Sequence, residues 1–311
     1  MVLLKGFETP RLYRGGYVSI GNFDGVHVGH RKITERLRSL ADGDGVPSVV
    51  LTFEPHPLKL LRPEHVPPSL TTLEQKAELL ERAGATCVIA YPTDRELLQL
   101  TPEEFFDAIV VAELRAKGIV EGPNFCFGKD RKGDIGALQD LCRRRGVVLD
   151  IVEPVGGERM ISSSTIRSLI DEGRMAEAVE LLGHPYRLRG EVVGGARRGQ
   201  TIGFPTANLA RIETLVPGNG VYKGIAGIGH QTFAAAINVG PNPTFGENNR
   251  KVEVHLIDFT GDLYGSWLDV DLMQRIRDTR RFETREELMG QIARDVDAVR
   301  ALLPVQPREQ T

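Results

Sequence analysis

A chain of 311 residues is long for a single hydrophobic core, so two domains are the default. Hydrophobic residues make up 41% and charged residues 26%, an ordinary globular balance, and the net charge of -3 argues against a general nucleic-acid binder, which would be basic. Cys87, Cys126 and Cys142 lack metal-ligand spacing and cannot all pair, which fits a reducing cytoplasm.

No signal peptide is expected, because Lys5, Glu8, Arg11 and Arg14 interrupt the start. The longest uncharged span, 224–246, carries Gln231, Thr232, Asn238, two prolines and several glycines. It reads as strands and turns, so no membrane partner is expected.

The run Tyr17 to Ile20 reads as a buried strand. Gly21 and Asn22 break it, and Asp24-Gly25 signals a turn. Ile33, Leu37 and Leu40 then fall at helical spacing. Strand, tight loop and helix in succession aim backbone N–H groups and the positive end of a helix dipole at whatever sits above the strand, and a nucleotide phosphate fits there. His27 and His30 stand at the mouth of the loop, where positions i and i+3 share a helix face, and Gly29 keeps the space between them open. The plainer alternative is a loop in which Asp24 caps the helix and both histidines are solvated.

Ser48 to Phe53 is a second apolar run, ending where Pro55 and Pro57 forbid further ladder pairing. Leu73, Ala77, Leu80 and Ala83 make an amphipathic helix stopped by Gly84, and Thr86 to Tyr91 is a third strand. Thr101-Pro102-Glu103-Glu104 starts another helix, with Thr as N-cap and Pro in first position. Ile119-Val120 is a short strand, 135–145 a helix and 147–152 a strand. This alternation predicts a mostly parallel sheet with helices on both faces, and ligands bind such sheets beyond the carboxyl ends of the strands. His27, His56 and Asn124 all follow strands and are candidates to line one cleft.

In 122–134, Phe125 and Phe127 flank Cys126 amid glycines. Their faces suit a planar ring such as isoalloxazine, although composition alone favours core phenylalanines under a charged surface loop. Ser162, Ser163, Ser164 and Thr165 precede a helix, where they cap it or, with Arg167, hold a triphosphate.

From Arg187 the texture changes to short, β-branched, glycine-punctuated runs, which indicate an antiparallel sheet or small barrel. The boundary is set near residue 185, giving domains 1–185 and 186–311. In 194–208, Gly195 and Gly203 loosen the backbone, Arg197 and Arg198 add positive charge, and Thr206 and Asn208 offer hard oxygens suited to Mg²⁺ shared with phosphates. Spacing alone favours a surface loop there, and strand alternation alone leaves Glu253 on a solvated face with Lys251 and His255. A final helix begins at a Thr284/Glu287 capping box, with disorder expected after Pro304.

The segment Gly21 to His30, G-N-F-D-G-V-H-V-G-H, resembles the H-x-G-H signature of the nucleotidylyltransferase superfamily, in the form found in bacterial bifunctional riboflavin kinase/FAD synthetases. Residues 122–134 are similar to that family's G-x-x-F-x-F-G-x-x-R-x-G-D pattern, and 162–167 to its S-S-T-x-I/V-R motif, with Ser164 where Thr is usual. Residues 203–208, G-F-P-T-A-N, resemble the riboflavin kinase motif, with Gln200 where Arg is usual; 237–246 and 252–265 resemble the later kinase motifs.

The resemblance implies a Rossmann-like nucleotidylyltransferase domain (α/β, mostly parallel sheet) followed by a small antiparallel β-barrel with a terminal helix. It implies phosphorylation of riboflavin to FMN by MgATP, then adenylylation of FMN to FAD by a second ATP with release of pyrophosphate. By resemblance, His27, His30 and Arg167 stabilise the adenylyl-transfer transition state. Gly21, Asn22, Phe23, Asp24, Gly29, Ser162, Ser163 and Ser164 bind that nucleotide. Gly195, Arg198, Gly203, Pro205, Thr206 and Asn208 bind the kinase nucleotide, with Thr206 and Asn208 on Mg²⁺ and Glu253 as base. Asn124, Phe125, Phe127 and Arg277 contact flavin. Two other readings stay open: a barrel that binds flavin only to regulate, or one that grips RNA or protein. Both predict no FMN from riboflavin and MgATP.

Overall fold

The β-branched runs of the first half assemble into one parallel sheet: β1 (Val2–Leu4), β2 (Tyr17–Ile20), β3 (Ser48–Glu54), β4 (Cys87–Pro92), β5 (Gly118–Glu121) and β6 (Val148–Ile151), in the order β1-β4-β3-β2-β5-β6. The computed structural model of the chain describes residues 1–8, 11–154, 161–195, 199, 203–242 and 247–300. Both faces of the sheet are covered, as an all-parallel sheet requires. On one face Val50, Val88 and Val120 pack against Leu37 and Ala41 of the helix Val28–Asp44 and Leu80 of the helix Leu73–Arg82. On the other, Val49, Leu51 and Ile89 pack against Phe105, Phe106, Leu138 and Leu141. The predicted Thr101 cap is present: its hydroxyl accepts the Glu104 N–H, and the Glu104 carboxylate accepts the Thr101 N–H. Strand β1 escapes the sequence reading because three residues at a sheet edge leave no period to detect.

Strand order reverses at β2, which pairs with β3 on one side and with β5 on the other. The β2–β5 ladder stops at Val18–Ile119, and beyond it the buried Glu121 carboxylate accepts the Ile20 N–H at 2.6 Å. The sheet therefore parts at its carboxyl edge under the loop that follows β2, the place where open α/β sheets bind ligands.

Residues 163–300 form a second unit. Its strands β7 (Tyr186–Val193), β8 (Ala207–Ala210), β9 (Gly220–Ile228), β10 (Gln231–Asn242), β11 (Glu247–Leu256) and β12 (Trp267–Arg277) close into an antiparallel barrel, order β10-β11-β8-β7-β12-β9. The terminal helix Arg285–Arg300 lays Val296 and Val299 against Ala234 and Ile257. The sequence yields five of the six strands. The sixth, β8, is the four-residue piece that bridges β7 and β11 and closes the barrel, and it carries Asn208.

The units part between Ser162 and Ser163, earlier than the residue-185 boundary. The helices Ser163–Asp171 and Met175–Leu182 bury Ile166, Ile170, Met175 and Leu182, and the second of them packs on β7 and β12. The Gly218 N–H donates to the Ile170 carbonyl at 2.9 Å, a further tie to the barrel. The expected tail after residue 304 lies outside the described residues.

Candidate active sites

The loop after β2 is held in a strained path. Phe23, Gly25 and Val26 all have positive φ, at 47°, 80° and 38°, and a β-branched residue there costs on the order of 1–3 kcal/mol. Burial of Phe23 and Val26 and a clamp by Asp24 hold it. The Asp24 carboxylate accepts the Leu70 and Thr71 N–H groups at 3.0–3.2 Å and the Thr71 hydroxyl at 3.3 Å. The Asp24 side chain thus staples the loop, and the Phe23 side chain lies in the core.

The helix cap is His27, not Asp24: its Nδ1 accepts the His30 N–H at 3.4 Å. That leaves the ring proton of neutral His27 on Nε2. The His27 and His30 rings stack, 3.7 Å between centroids and 15° apart, and Gly29 has no Cβ to press on the His27 ring 3.2 Å away. Burial lowers the His27 pKa to about 4. Burial, then the neighbouring His27 and Lys76, draws His30 well below its ordinary value. Both rings are neutral N–H donors at pH 7, and His30 Nδ1 is buried without a partner among the described residues.

Asn22 lies 3.1 Å from His56 Nε2. His56 Nδ1 accepts the Leu58 N–H at 3.1 Å, so Nε2 carries the proton of the neutral ring and calls for the amide oxygen opposite it. The other end of the Asn22 amide, buried and unpaired among the described residues, is then the NH₂. Loop, paired imidazoles, amide and helix N-terminus together offer donors to an anion.

Sequence reasoning missed Lys76. It is 7% exposed, and its ammonium donates to Thr52 Oγ1 at 3.3 Å, which in turn donates to the Asn22 carbonyl at 3.2 Å. Its position is legible: 76 falls on the same helical stripe as Leu73 and Leu80, where a lysine is out of place.

In the barrel, Glu253 on β11 stands directly opposite Asn208 on β8 and Asn238 on β10, so the three side chains share one face across three strands. The half-buried Glu253 alternates with buried Val252 and Val254, as the pattern predicts. A Cβ on Gly195 would lie 2.3 Å from Asn208 Nδ2, and one on Gly199 would lie 2.3 Å from the Phe204 carbonyl and 3.3 Å from Thr206 Oγ1. Both glycines therefore let the backbone close around the Thr206–Asn208 segment. The His255 ring meets the Pro205 carbonyl at 2.8 Å and fixes the turn into β8. Gly203 takes φ +85°, and Pro205 and Thr206 are exposed. Arg197, Arg198 and Gln200 lie outside the described residues.

Several expected flavin contacts are used otherwise. Phe127 is a core residue, 6% exposed, between Phe105 at 6.0 Å and Phe125 at 5.4 Å, so it has no free face for a flavin ring. Phe125 packs half-buried on the same core, and Asn124 is exposed. Arg277 forms a fork with the buried Asp295 carboxylate at 2.7–3.0 Å and donates to the Asp278 carbonyl, so its guanidinium is held by the terminal helix. Ser163, Ser164 and Arg167 belong to the first helix of the second unit, with Ser162 just before it; their part in adenylyl transfer rests on the motif.

Fold and sites define a transferase class: an α/β nucleotidylyltransferase unit and a flavokinase-type barrel in one chain. Residues 10–166 match the FAD synthetase family model, and residues 182–303 match the riboflavin kinase family model. The bifunctional riboflavin kinase/FMN adenylyltransferase of Escherichia coli (strain K12) is 38% identical over 302 residues, covering 95% of this chain and 96% of its own length. That of Bacillus subtilis (strain 168) is 33% identical over 283 residues, 89% of each. The crystal structure of a macrolide-efflux protein from Streptococcus pneumoniae matches with a TM-score of 0.86 at 33% identity, covering 97% of this chain and 99% of that one. Among the described residues of this chain, no helix is long and apolar enough to cross a membrane. The chain belongs to the bifunctional riboflavin kinase/FMN adenylyltransferase family.

Proposed function

We propose that the barrel phosphorylates riboflavin and the α/β unit adenylylates the product. In the barrel, Glu253 takes the proton of the riboflavin 5′-hydroxyl, whose oxygen attacks the γ-phosphorus of ATP; ADP leaves and FMN forms. In the α/β unit, an FMN phosphate oxygen attacks the α-phosphorus of a second ATP. The bond to the bridging oxygen breaks, pyrophosphate leaves and FAD forms. His27 and His30 supply N–H donors to the charge that develops; for Arg167 and the Ser162–Ser164 hydroxyls a phosphate-binding role is supported by the sequence motif alone.

The Thr206 hydroxyl and the Asn208 amide oxygen suit a hard cation that also holds phosphates. The Gly195 and Gly199 backbones closed around them support that fit. Mg²⁺ held there would neutralise polyphosphate charge. Three free cysteines and dependence on ATP support a cytoplasmic setting.

The alignment of Glu253 and Asn208 across the barrel ladder carries the reading that the barrel is catalytic rather than regulatory. Chromatography of riboflavin with MgATP and the purified chain tests it. FMN should appear first, then FAD with pyrophosphate. FAD from supplied FMN, with no FMN from riboflavin, would return the barrel to a regulatory role.

A further inference from the structure

A buried lysine needs a counter-charge or it costs stability. Among the described residues the Lys76 ammonium has one hydrogen bond, to a neutral hydroxyl, and no ion pair. The charged and titratable groups around it are Asp24 and Glu54, which favour its cation, and His30. They leave it undercompensated: burial pulls its pKa below the usual lysine value. Through Thr52 the ammonium sits against the Asn22 carbonyl, in the loop whose Asn22 amide and His30 Nδ1 are themselves buried and unpaired. A cation, an amide and an imidazole, each short of partners and gathered at the carboxyl ends of β2 and β3, make a socket for a multiply charged anion.

Building on the adenylyltransferase reading, we propose that Lys76 is a direct ligand of the ATP polyphosphate in the α/β unit. The alternative for this residue is structural: a strut that holds the Asn22 turn through Thr52. The two differ in what charge removal does. A strut survives replacement by glutamine, which keeps a donor for Thr52, and its loss lowers stability. A phosphate ligand loses function with its charge, and removing a desolvated cation leaves the fold as stable or more so.

The test uses the full chain with Lys76→Gln and Lys76→Met, reading kcat/KM for ATP in FMN adenylylation, riboflavin phosphorylation as internal control, and the urea unfolding midpoint. Both variants should lose adenylylation by roughly 10²- to 10³-fold and keep phosphorylation within about twofold, with a midpoint equal to or above that of the parent chain. Adenylylation within about threefold of the parent in either variant overturns the proposal, as does a loss accompanied by a lowered midpoint. If the parent chain itself makes no FAD from FMN and ATP, it is the adenylyltransferase reading that fails.

Discussion

His27 and His30 stack ring on ring at 3.7 Å, too close for both to be charged, and burial keeps each neutral. For His27 the folded pKa of about 4 lies below the ordinary 6.5. As pH falls below 6.5 the unfolded chain takes up a proton that the folded chain refuses, so stability is lost between about pH 6.5 and pH 4 and is fully present above that window. The shift of about 2.5 units, 6.5 less 4, is worth about 3 kcal/mol at most. Urea midpoints at pH 7 and pH 5 should show the loss, and His27→Asn, which retains a capping side chain, should flatten it. An equal loss in both proteins would place the acid sensitivity elsewhere.

The same neutrality governs catalysis. Neutral donors need no protonation near pH 7, so kcat/KM for FMN adenylylation should hold steady as pH rises from about 6.5 to 8.5. His30→Ala should lower it by roughly 10²- to 10³-fold, as loss of one transition-state donor does, and leave riboflavin phosphorylation unchanged. A descending limb centred near the ordinary histidine pKa would show instead that an imidazolium is required.

Glu253→Gln separates the two reactions from the other side. A positioned base contributes about 10²- to 10⁴-fold, so FMN formation should fall by that order while adenylylation of supplied FMN is untouched. The substitution keeps the side chain's size beside Asn208, and circular dichroism and unfolding should match the parent chain. Equal loss of both activities would refute the division of labour between the units.

Both sheets are legible in the sequence because their strands carry period-2 or fully apolar runs; Val49 to Leu51 is buried on both faces and reads as such. What escapes are pieces too short to have a period: β1 at three residues and β8 at four. The roles of Asn208 and Glu253 rest on resemblance to family motifs; their pairing on adjacent strands is a matter of register, and cross-strand partners 45 residues apart in sequence, 253 less 208, cannot be paired by pattern alone. For Phe127 and Arg277 the sequence is ambiguous for one reason: aromatic and guanidinium groups serve cores and ion pairs as readily as flavins, and here Phe127 packs in the core and Arg277 pairs with Asp295. Lys76 was visible as a charge on an apolar stripe, a local inconsistency of the kind that marks functional positions.

Gly195 makes a prediction about space. A methyl group there would meet Asn208 Nδ2 at 2.3 Å, so Gly195→Ala must displace the amide that stands over it. Displacement by about an ångström costs up to roughly 10²-fold in a positioned site. Phosphorylation kinetics should show a raised KM for MgATP, and the adenylylation rate should be unaffected. Parent-like KM values in Gly195→Ala would mean that the Asn208 amide takes no part in holding the nucleotide.

Arg277 makes the opposite prediction, of stability without catalysis. Its guanidinium is spent on Asp295, which is 5% exposed and also receives the Gln291 amide at 2.8 Å. Arg277→Ala leaves a buried carboxylate without its cation, a loss on the order of 3–5 kcal/mol where the pair is fully buried and less here, because the Arg277 side chain is 21% exposed. The urea midpoint of the barrel should fall clearly, and Asp295→Asn in the same background should recover part of the loss by removing the stranded charge. At temperatures where the variant is folded, KM for riboflavin should equal that of the parent chain. A raised KM with an unchanged midpoint would restore Arg277 to the flavin site.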